Sequence, residues 1–439
     1  MYVKESTTPK LLHEHQPSPK ESIFQKEKDF LFDNFNFQIG VNIDDLVEKI
    51  LEIQQPKGSF GGYTVSSLFA IIALDDYIVH HAKNPDKYKP HILSAYKYIE
   101  HQYFDTGDCS YLGALDDGHY WDTILAGIAL VQSSSGEKGV ITDSIFSAAT
   151  YLAKSQVSNG GIPYGFDFEY APDFDDTAEL AILWGTMINR NKSEYNILAP
   201  NLEKAMNLLL DVQNSDGGWA AFDKNRQGNW LVKKVLSAFS DSAELFDPSC
   251  ADIIGHVFEA IEITGKKNSK MIKKAVNWLK DHQEEFGGFQ GRWGSNYIYG
   301  TGAVLVGIGK VGESDIMKEE WVVKATDWLV SKQNKNGSWG ETGASYKNTK
   351  LAGIGYPTPS QTAWALLGLI EVYKQTNDQS LKKSIDLGVD WLISDFWDKG
   401  GLFVDESCVG TGHRGILMMQ YLVYSYTWPL MTLGRYSEL

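Results

Sequence analysis

The chain has 439 residues and a formal net charge of -16; 43% of its residues are apolar and 13% aromatic, with 13 Trp and 22 Tyr. That balance is globular, is rich enough in rings to line a large interior, and argues against nucleic acid as a partner while leaving a neutral or apolar substrate open. Three scattered cysteines, Cys109, Cys250 and Cys408, fit a reducing compartment, no apolar run reaches a membrane span, and the polar start from Met1 to Glu5 lacks a signal-peptide core, so a cytoplasmic protein is expected.

Residues 1–40 are charged and aperiodic, with Pro9, Pro17 and Pro19. They read as an N-terminal extension, disordered or laid across the surface. From Val41 on the sequence repeats itself. A Gln, three residues, a Gly, one residue and a large apolar residue recur at Gln54–Phe60, Gln156–Ile162, Gln213–Trp219, Gln283–Phe289 and Gln333–Trp339. Gln102–Cys109 and Phe396–Leu402 are weaker copies. Such periods mark stacked supersecondary units. In each, a helix runs into the Gln and the Gly turns the chain. A second, more apolar helix follows, over 67–78, 123–131, 178–188, 301–311 and 361–372, and helices this apolar are buried on most sides. Alternating amphipathic and apolar helices predict an all-α fold, an (α/α)6 barrel of helical hairpins, as one domain over 41–439. An open helical solenoid is the alternative.

Three carboxylates fall within four residues in Tyr170-Ala171-Pro172-Asp173-Phe174-Asp175-Asp176-Thr177-Ala178, ahead of an apolar run to Ile188. Asp176 or Thr177 is expected to cap that helix. Crowded carboxylates do not all ionise cheaply, so one should keep its proton. A protonated acid among ionised ones is a device for donating a proton; a helix start with surplus acids is the plain alternative. In the barrel this stretch opens an inner helix and points into the cavity. The longest insertion, Phe222–Pro248, reads as a lid or pocket wall. Asp252 and His256, four apart, share one helix face, so His256 either orients one of the carboxyls or is an ordinary core histidine. No ligand spacing supports zinc.

Asp173-Phe174-Asp175-Asp176-Thr177-Ala178 resembles the Asp-x-Asp-Asp motif of class II terpene cyclases in the squalene-hopene cyclase form. The Gln–Gly repeats resemble that family's QW motifs. Gly291–Gly302, Thr358–Trp364 and the terminal Leu433-Gly434-Arg435-Tyr436 are similar to further signatures. The resemblance covers residues 45–439. Squalene-hopene cyclases carry a second α-barrel domain that this length does not accommodate, and in that respect the chain resembles the single-domain cyclases of cyanobacterial meroterpenoid pathways, the merosterolic acid synthase type. The resemblance implies that Asp175 protonates a terminal alkene and that His256 hydrogen-bonds it. Asp173 and Asp176 would be its ionised flanks, with Asp252 in the same network. It implies pocket walls at Trp121, Tyr164, Phe222, Trp293, Tyr299, Tyr421 and Tyr424, with Tyr63 a weaker match. Where hopene-forming members have Phe, Pro and Phe, this chain has His413, Arg414 and Leu417. Two rings are lost and two basic groups gained, which suits a substrate with a polar or anionic far end.

The leading expectation is therefore a metal-free, cofactor-free cyclase of a prenylated aromatic acid such as geranylgeranyl dihydroxybenzoate, with a linear terpene or squalene-type triterpene as the alternative. An isoprenoid substrate points to peripheral membrane contact for its uptake. A glycoside hydrolase would need its acids on opposite sides of a cleft, and an intact acid cluster with His256 counts against a mere prenyl-binding module. Asp75-Asp76 and Asp116-Asp117 both lack the third acid of a metal-dependent diphosphate-ionising motif.

Overall fold

Each strong repeat meets the same need. A helix that ends leaves carbonyls without partners, and the Gln side chain bridges the resulting turn to the next helical layer. In the computed structural model, Nε2 of Gln54, Gln156, Gln213, Gln283 and Gln333 each donates to the carbonyl of the Gly four residues on. Each donates again to a carbonyl of a later helix, at His91, Asn201, Met271, Trp321 and Ser384. The glycines adopt φ of 96–105°, which L side chains rarely adopt. A Cβ at Gly337 would lie 2.1 Å from the carbonyl oxygen of Leu387. Gly337→Ala is therefore expected to cost roughly 1–3 kcal/mol for the backbone angle alone, and more for the clash. A denaturant-unfolding midpoint equal to wild type would contradict this role of the repeat.

The structure describes residues 42–60, 64–105, 110–112, 119–133, 140–164, 172–225, 247–312, 315–413 and 417–439. They form two compact units. The first, residues 42–60 and 65–100, holds α1 (Ile43–Glu52), most of α2 (Thr64–His80) and all but the last residue of α3 (Lys89–His101). Its core gathers Val47, Ile71, Leu74, Tyr77, Tyr88 and Ala95, with Tyr77 donating to Asp44 at 2.6 Å. Here one expectation is corrected. The apolar helix predicted over 67–78 is α2, but it leaves Phe69, Ile72 and Val79 more than 60% exposed. Its apolar residues run round the whole helix, and the small core of this unit covers one side only.

Among the described residues the second unit has eleven long helices. They are α4 (His119–Ser133), α5 (Val140–Ser155), α6 (Phe174–Arg190), α7 (Ala199–Asp211), α8 (Ala251–Thr264), α9 (Ser269–Asp281), α10 (Tyr297–Val311), α11 (Glu320–Ser331), α12 (Pro359–Thr376), α13 (Gln379–Asp398) and α14 (Tyr424–Tyr436). The helices α4, α6, α8, α10, α12 and α14 pack in that order, and α14 returns to α4 to close a ring. Each of α5, α7, α9, α11 and α13 packs on the inner helix before it. This is the α/α barrel architecture, with apolar helices inside and amphipathic ones outside. α8 is buried at every residue from Ala251 to Ile261, whereas α9 buries only Ala275, Val276, Trp278 and Leu279.

Arg435, from the terminal Leu-Gly-Arg-Tyr signature, ties the ring together. Its Nη2 meets Glu259 of α8 at 2.6 Å, its Nε donates to Gln132 of α4 at 3.0 Å, and its Nη1 lies 3.6 Å from Glu371 of α12. Among the described residues two short antiparallel hairpins interrupt the helices: β1 (Tyr103–Asp105) with β2 (Ser110–Leu112), and β3 (Gly410–His413) with β4 (Leu417–Met419). Among the described residues no helix is long and apolar enough to cross a membrane. Cys250 is buried and Cys408 exposed; Cys109 lies outside the described residues.

Candidate active site

The aspartate stretch is pinned between two neighbouring repeats. Asp173 N–H donates to Ile162 O (2.8 Å), and Phe174 N–H donates to Ala221 O (2.7 Å). Thr177 Oγ1 donates to Asp173 O (2.6 Å) and accepts from Ile162 N–H (3.1 Å). The cap of α6 is Asp173, not Asp176 or Thr177. Its extended backbone (φ -89°, ψ 123°) places its carboxylate over the N–H groups of Asp175 (2.8 Å) and Asp176 (3.3 Å). The helix starts at Phe174, four residues before the apolar run, because Asp173 stops it there. Asp175 and Asp176 thus sit in its first turn, where the dipole favours negative charge.

His256 Nδ1 lies 2.6 Å from Asp175 Oδ1 and 3.5 Å from Glu179 Oε1. All three side chains are buried. Burial alone would depress the pKa of His256, but the charges of Asp175 and Glu179 outweigh it and raise the pKa to about 10, so the ring is an imidazolium at neutral pH. Burial, then the charge of Asp175, lifts Asp173 to about 7 against the pull of its two N–H bonds. Burial, then the charges of Asp173 and Asp175, pushes Asp176 well above the carboxylate range. Crowding thus keeps protons in the cluster. Asp252 Oδ2 accepts the N–H groups of Arg292 (2.8 Å) and Trp293 (3.3 Å). Burial and then Asp175 raise its pKa, and the Arg292 bond opposes them.

Two acids escaped the sequence reading. Glu179, one turn after Asp175 on the same helix face, is lifted to about 7 by burial despite His256. Its four-residue spacing from Asp175 was the available signal. Asp122, next to Trp121, is lifted to about 6 by burial, has an unpartnered buried oxygen among the described residues, and adds its charge at Asp176. Nothing local marked it. Among the described residues no cluster of three or more His, Cys, Asp or Glu is arranged to hold a metal ion.

The rings fall into two groups. In the larger, Trp121 Nε1 donates to Tyr424 Oη (2.9 Å), Tyr421 stacks on Tyr424 at 4.5 Å, and the hydroxyls of Tyr421 and Tyr164 meet at 3.2 Å. Trp364, which ends the Thr358–Trp364 signature but was not expected among the pocket walls, packs on Tyr299 (4.7 Å), Tyr424 (6.1 Å) and Trp428 (6.0 Å). Tyr299 faces the His256 ring edge-on at 6.2 Å. The smaller group is Phe222 against Trp293 (5.9 Å), with the Arg292 guanidinium 4.7 Å over the indole. Arg292 also grips Asp247, whose carboxylate accepts the N–H groups of Ala221, Phe222 and Asp223 and so closes the base of the insertion. A small cavity lies beside His256, lined by Glu179, Glu259, Tyr299, Trp364, Trp428 and Arg435 among others. His413 and Leu417 lie in the β3–β4 hairpin, but their side chains, like all of Arg414, Tyr63 and residues 226–246, lie outside the described residues.

With this geometry in hand, the chain can be set beside known proteins. Residues 119–438 match the squalene-hopene cyclase C-terminal domain. The chain is 36% identical over 404 residues to a squalene-tetrahymanol cyclase of Tetrahymena thermophila, covering 90% of this chain and 59% of that protein. It is 31% identical over 405 residues to a squalene-hopene cyclase of Alicyclobacillus acidocaldarius, covering 89% and 60%. It therefore spans about three-fifths of the length of these relatives. Two solved structures share the fold. An ent-copalyl diphosphate synthase from Streptomyces platensis has a TM-score of 0.54 at 16% identity, over 87% of this chain and 60% of that one. A variant of the type II terpene cyclase MstE from Scytonema, solved with geranylgeranyl dihydroxybenzoate, has a TM-score of 0.52 at 14% identity, over 85% and 98%. Residues 119–438, which carry the aspartate motif and the whole ring of inner helices, place the chain in the family of the squalene-hopene cyclase C-terminal domain.

Proposed function

We propose that this chain is a class II terpene cyclase that protonates the terminal alkene of a polyprenyl substrate. The observation that carries this is the buried Asp175–His256 pair at 2.6 Å, set among carboxylates that keep protons and close to stacked aromatic rings. An alkene is a very poor base, so matched general acid catalysis does not suffice; the acid must be desolvated and its conjugate base stabilised in advance. The imidazolium of His256 donates from Nδ1 to Oδ1, leaving Oδ2 to deliver the proton. The O–H bond breaks, a C–H bond forms, and the π electrons leave a tertiary carbocation that the next alkene attacks. His256 stabilises the carboxylate left behind. Trp121, Tyr299, Trp364, Tyr421 and Tyr424 offer ring faces to the migrating charge, each worth about 2 kcal/mol or more when desolvated. Loss of a proton at the end returns a cyclic isomer of the substrate.

A squalene-type triterpene is the substrate favoured by the relatives at 31–36% identity. A prenylated aromatic acid is the second reading, favoured by His413 and Arg414 where hydrocarbon cyclases carry Phe and Pro. A guanidinium fork matches a carboxylate. Either substrate is water-insoluble and would be drawn from a membrane surface. Incubation with squalene and with geranylgeranyl dihydroxybenzoate, read by mass spectrometry, separates the two. Squalene is expected to give cyclic isomers of unchanged mass. Turnover of the acid alone, weakened by Arg414→Met or His413→Phe, would establish the second reading. Turnover of neither would end the cyclase proposal.

A further inference from the structure

The connection between α11 and α12 contains a short turn, Gly343–Tyr346, that no motif in the sequence singled out. Tyr346 Oη lies 3.0 Å from the carbonyl oxygen of Gly291 and 2.9 Å from that of Gly294, so one hydroxyl hydrogen serves two acceptors of a single turn. Next to it, Ser345 Oγ accepts from Asn296 Nδ2 at 3.0 Å. Glu341 Oε2 accepts the N–H of Ile298 at 2.9 Å. One loop therefore grips residues 291–298 by carbonyls, side chain and N–H.

What that segment carries is the wall of the site. The N–H groups of Arg292 and Trp293 sit on Asp252. The Tyr299 ring rests directly on the glycine turn: a Cβ at Gly294 would lie 2.6 Å from its Cγ, and a Cβ at Gly291 2.6 Å from its Cδ1. The Tyr299 ring also packs on Trp364 at 4.7 Å and faces His256 at 6.2 Å. A shift of the turn is thus passed to Trp293, which it carries, and to Tyr299, which rests on it and faces His256.

We propose, resting on the cyclase reading above, that Tyr346 is a positioning residue. By holding the Gly291–Gly294 turn it fixes Tyr299 and Trp293 against the reacting chain and so sets how far cyclisation runs before the cation is lost. A wall displaced by about an ångström misaligns a reacting geometry enough to cost up to about a hundredfold in rate.

Tyr346→Phe removes one oxygen and keeps the ring. With squalene as the probe, kcat is expected to fall about tenfold with KM within about twofold, the pattern of an interaction made in the transition state. The share of partly cyclised product should rise at an unchanged thermal midpoint. Gly294→Ala, which presses on the same ring, should shift the product ratio in the same direction. Tyr373→Phe, which removes a hydroxyl on α12 that meets Gln379 at 3.4 Å, should leave rate and ratio alone. Independently of any substrate, the amides of Arg292 and Trp293 should exchange hydrogen faster in Tyr346→Phe. Faster exchange with a wild-type product ratio would reduce Tyr346 to a structural contact and overturn the proposal, as would unchanged exchange. If the wild-type protein turns over neither squalene nor the prenylated acid, the cyclase reading fails by itself, and exchange at residues 292 and 293 decides whether Tyr346 holds the turn.

Discussion

Asp175→Asn is expected to abolish cyclisation, by roughly four orders of magnitude or more in kcat, about 5 kcal/mol or more of barrier, in a protein that still folds and still binds its isoprenoid. Asn keeps the shape of the side chain, and its carbonyl can still accept from His256 Nδ1, so the pocket is unchanged in outline. What it lacks is the acidic proton, and Asp173, whose Oδ1 is engaged as the helix cap, cannot replace it in place. The substitution also removes one charge from a crowd in which Asp173, Asp176, Glu179 and Asp252 all feel Asp175. That relief of repulsion offsets part of what the lost ion pair with His256 costs, so the variant is expected to remain folded. Product analysis paired with a thermal melt makes the check. Turnover close to wild type in a folded variant would remove Asp175 from its role.

His256→Ala should lower kcat by roughly 10²–10³-fold, and here stability falls as well. Truncation leaves Asp175 and Glu179 without their shared cation, and breaking a buried ion pair costs roughly 3–5 kcal/mol. The sign of the pH dependence follows from the shift. His256 titrates at 6.5 in the unfolded chain and at about 10 in the folded one. Folding favours its protonated form, so its contribution is complete below pH 6.5 and fades as pH rises through 10. The stability gap between wild type and His256→Ala should be widest near and below neutrality and close toward pH 10. Denaturant midpoints across that range measure it. A gap that stays constant would show that His256 is not held as a cation by these carboxylates.

Much of the fold was legible because its defining features are local. A Gln four residues before a Gly is a fixed hydrogen-bonded turn, and the alternation of amphipathic with apolar helices follows from 3.6-residue periodicity. The same holds for the aspartate motif, and for Asp252 with His256 one turn apart. Where local chemistry left choices, sequence reasoning slipped. Three residues of one stretch could have capped α6, and only the hydrogen bonds that Asp173 and Phe174 N–H donate to Ile162 and Ala221 settle on Asp173. The apolar α2 was expected among the buried helices, yet apolarity says that a helix can be covered, not that a neighbour exists to cover it.

The sequence alone determined the repeat, the barrel class, the aspartate motif and the family, since each is written in residues near one another along the chain. Only the tertiary structure decided which distant groups meet. The ring of inner helices brings Asp122 of α4 into the field of Asp176, sets Glu179 beside His256 of α8, and turns Trp364 of α12 onto Tyr299 of α10. Tyr346 reaches the Gly291–Gly294 turn from 52–55 residues away. Such contacts carry no local periodicity, because their energy depends on ring closure, on burial and on charges that separate helices contribute together.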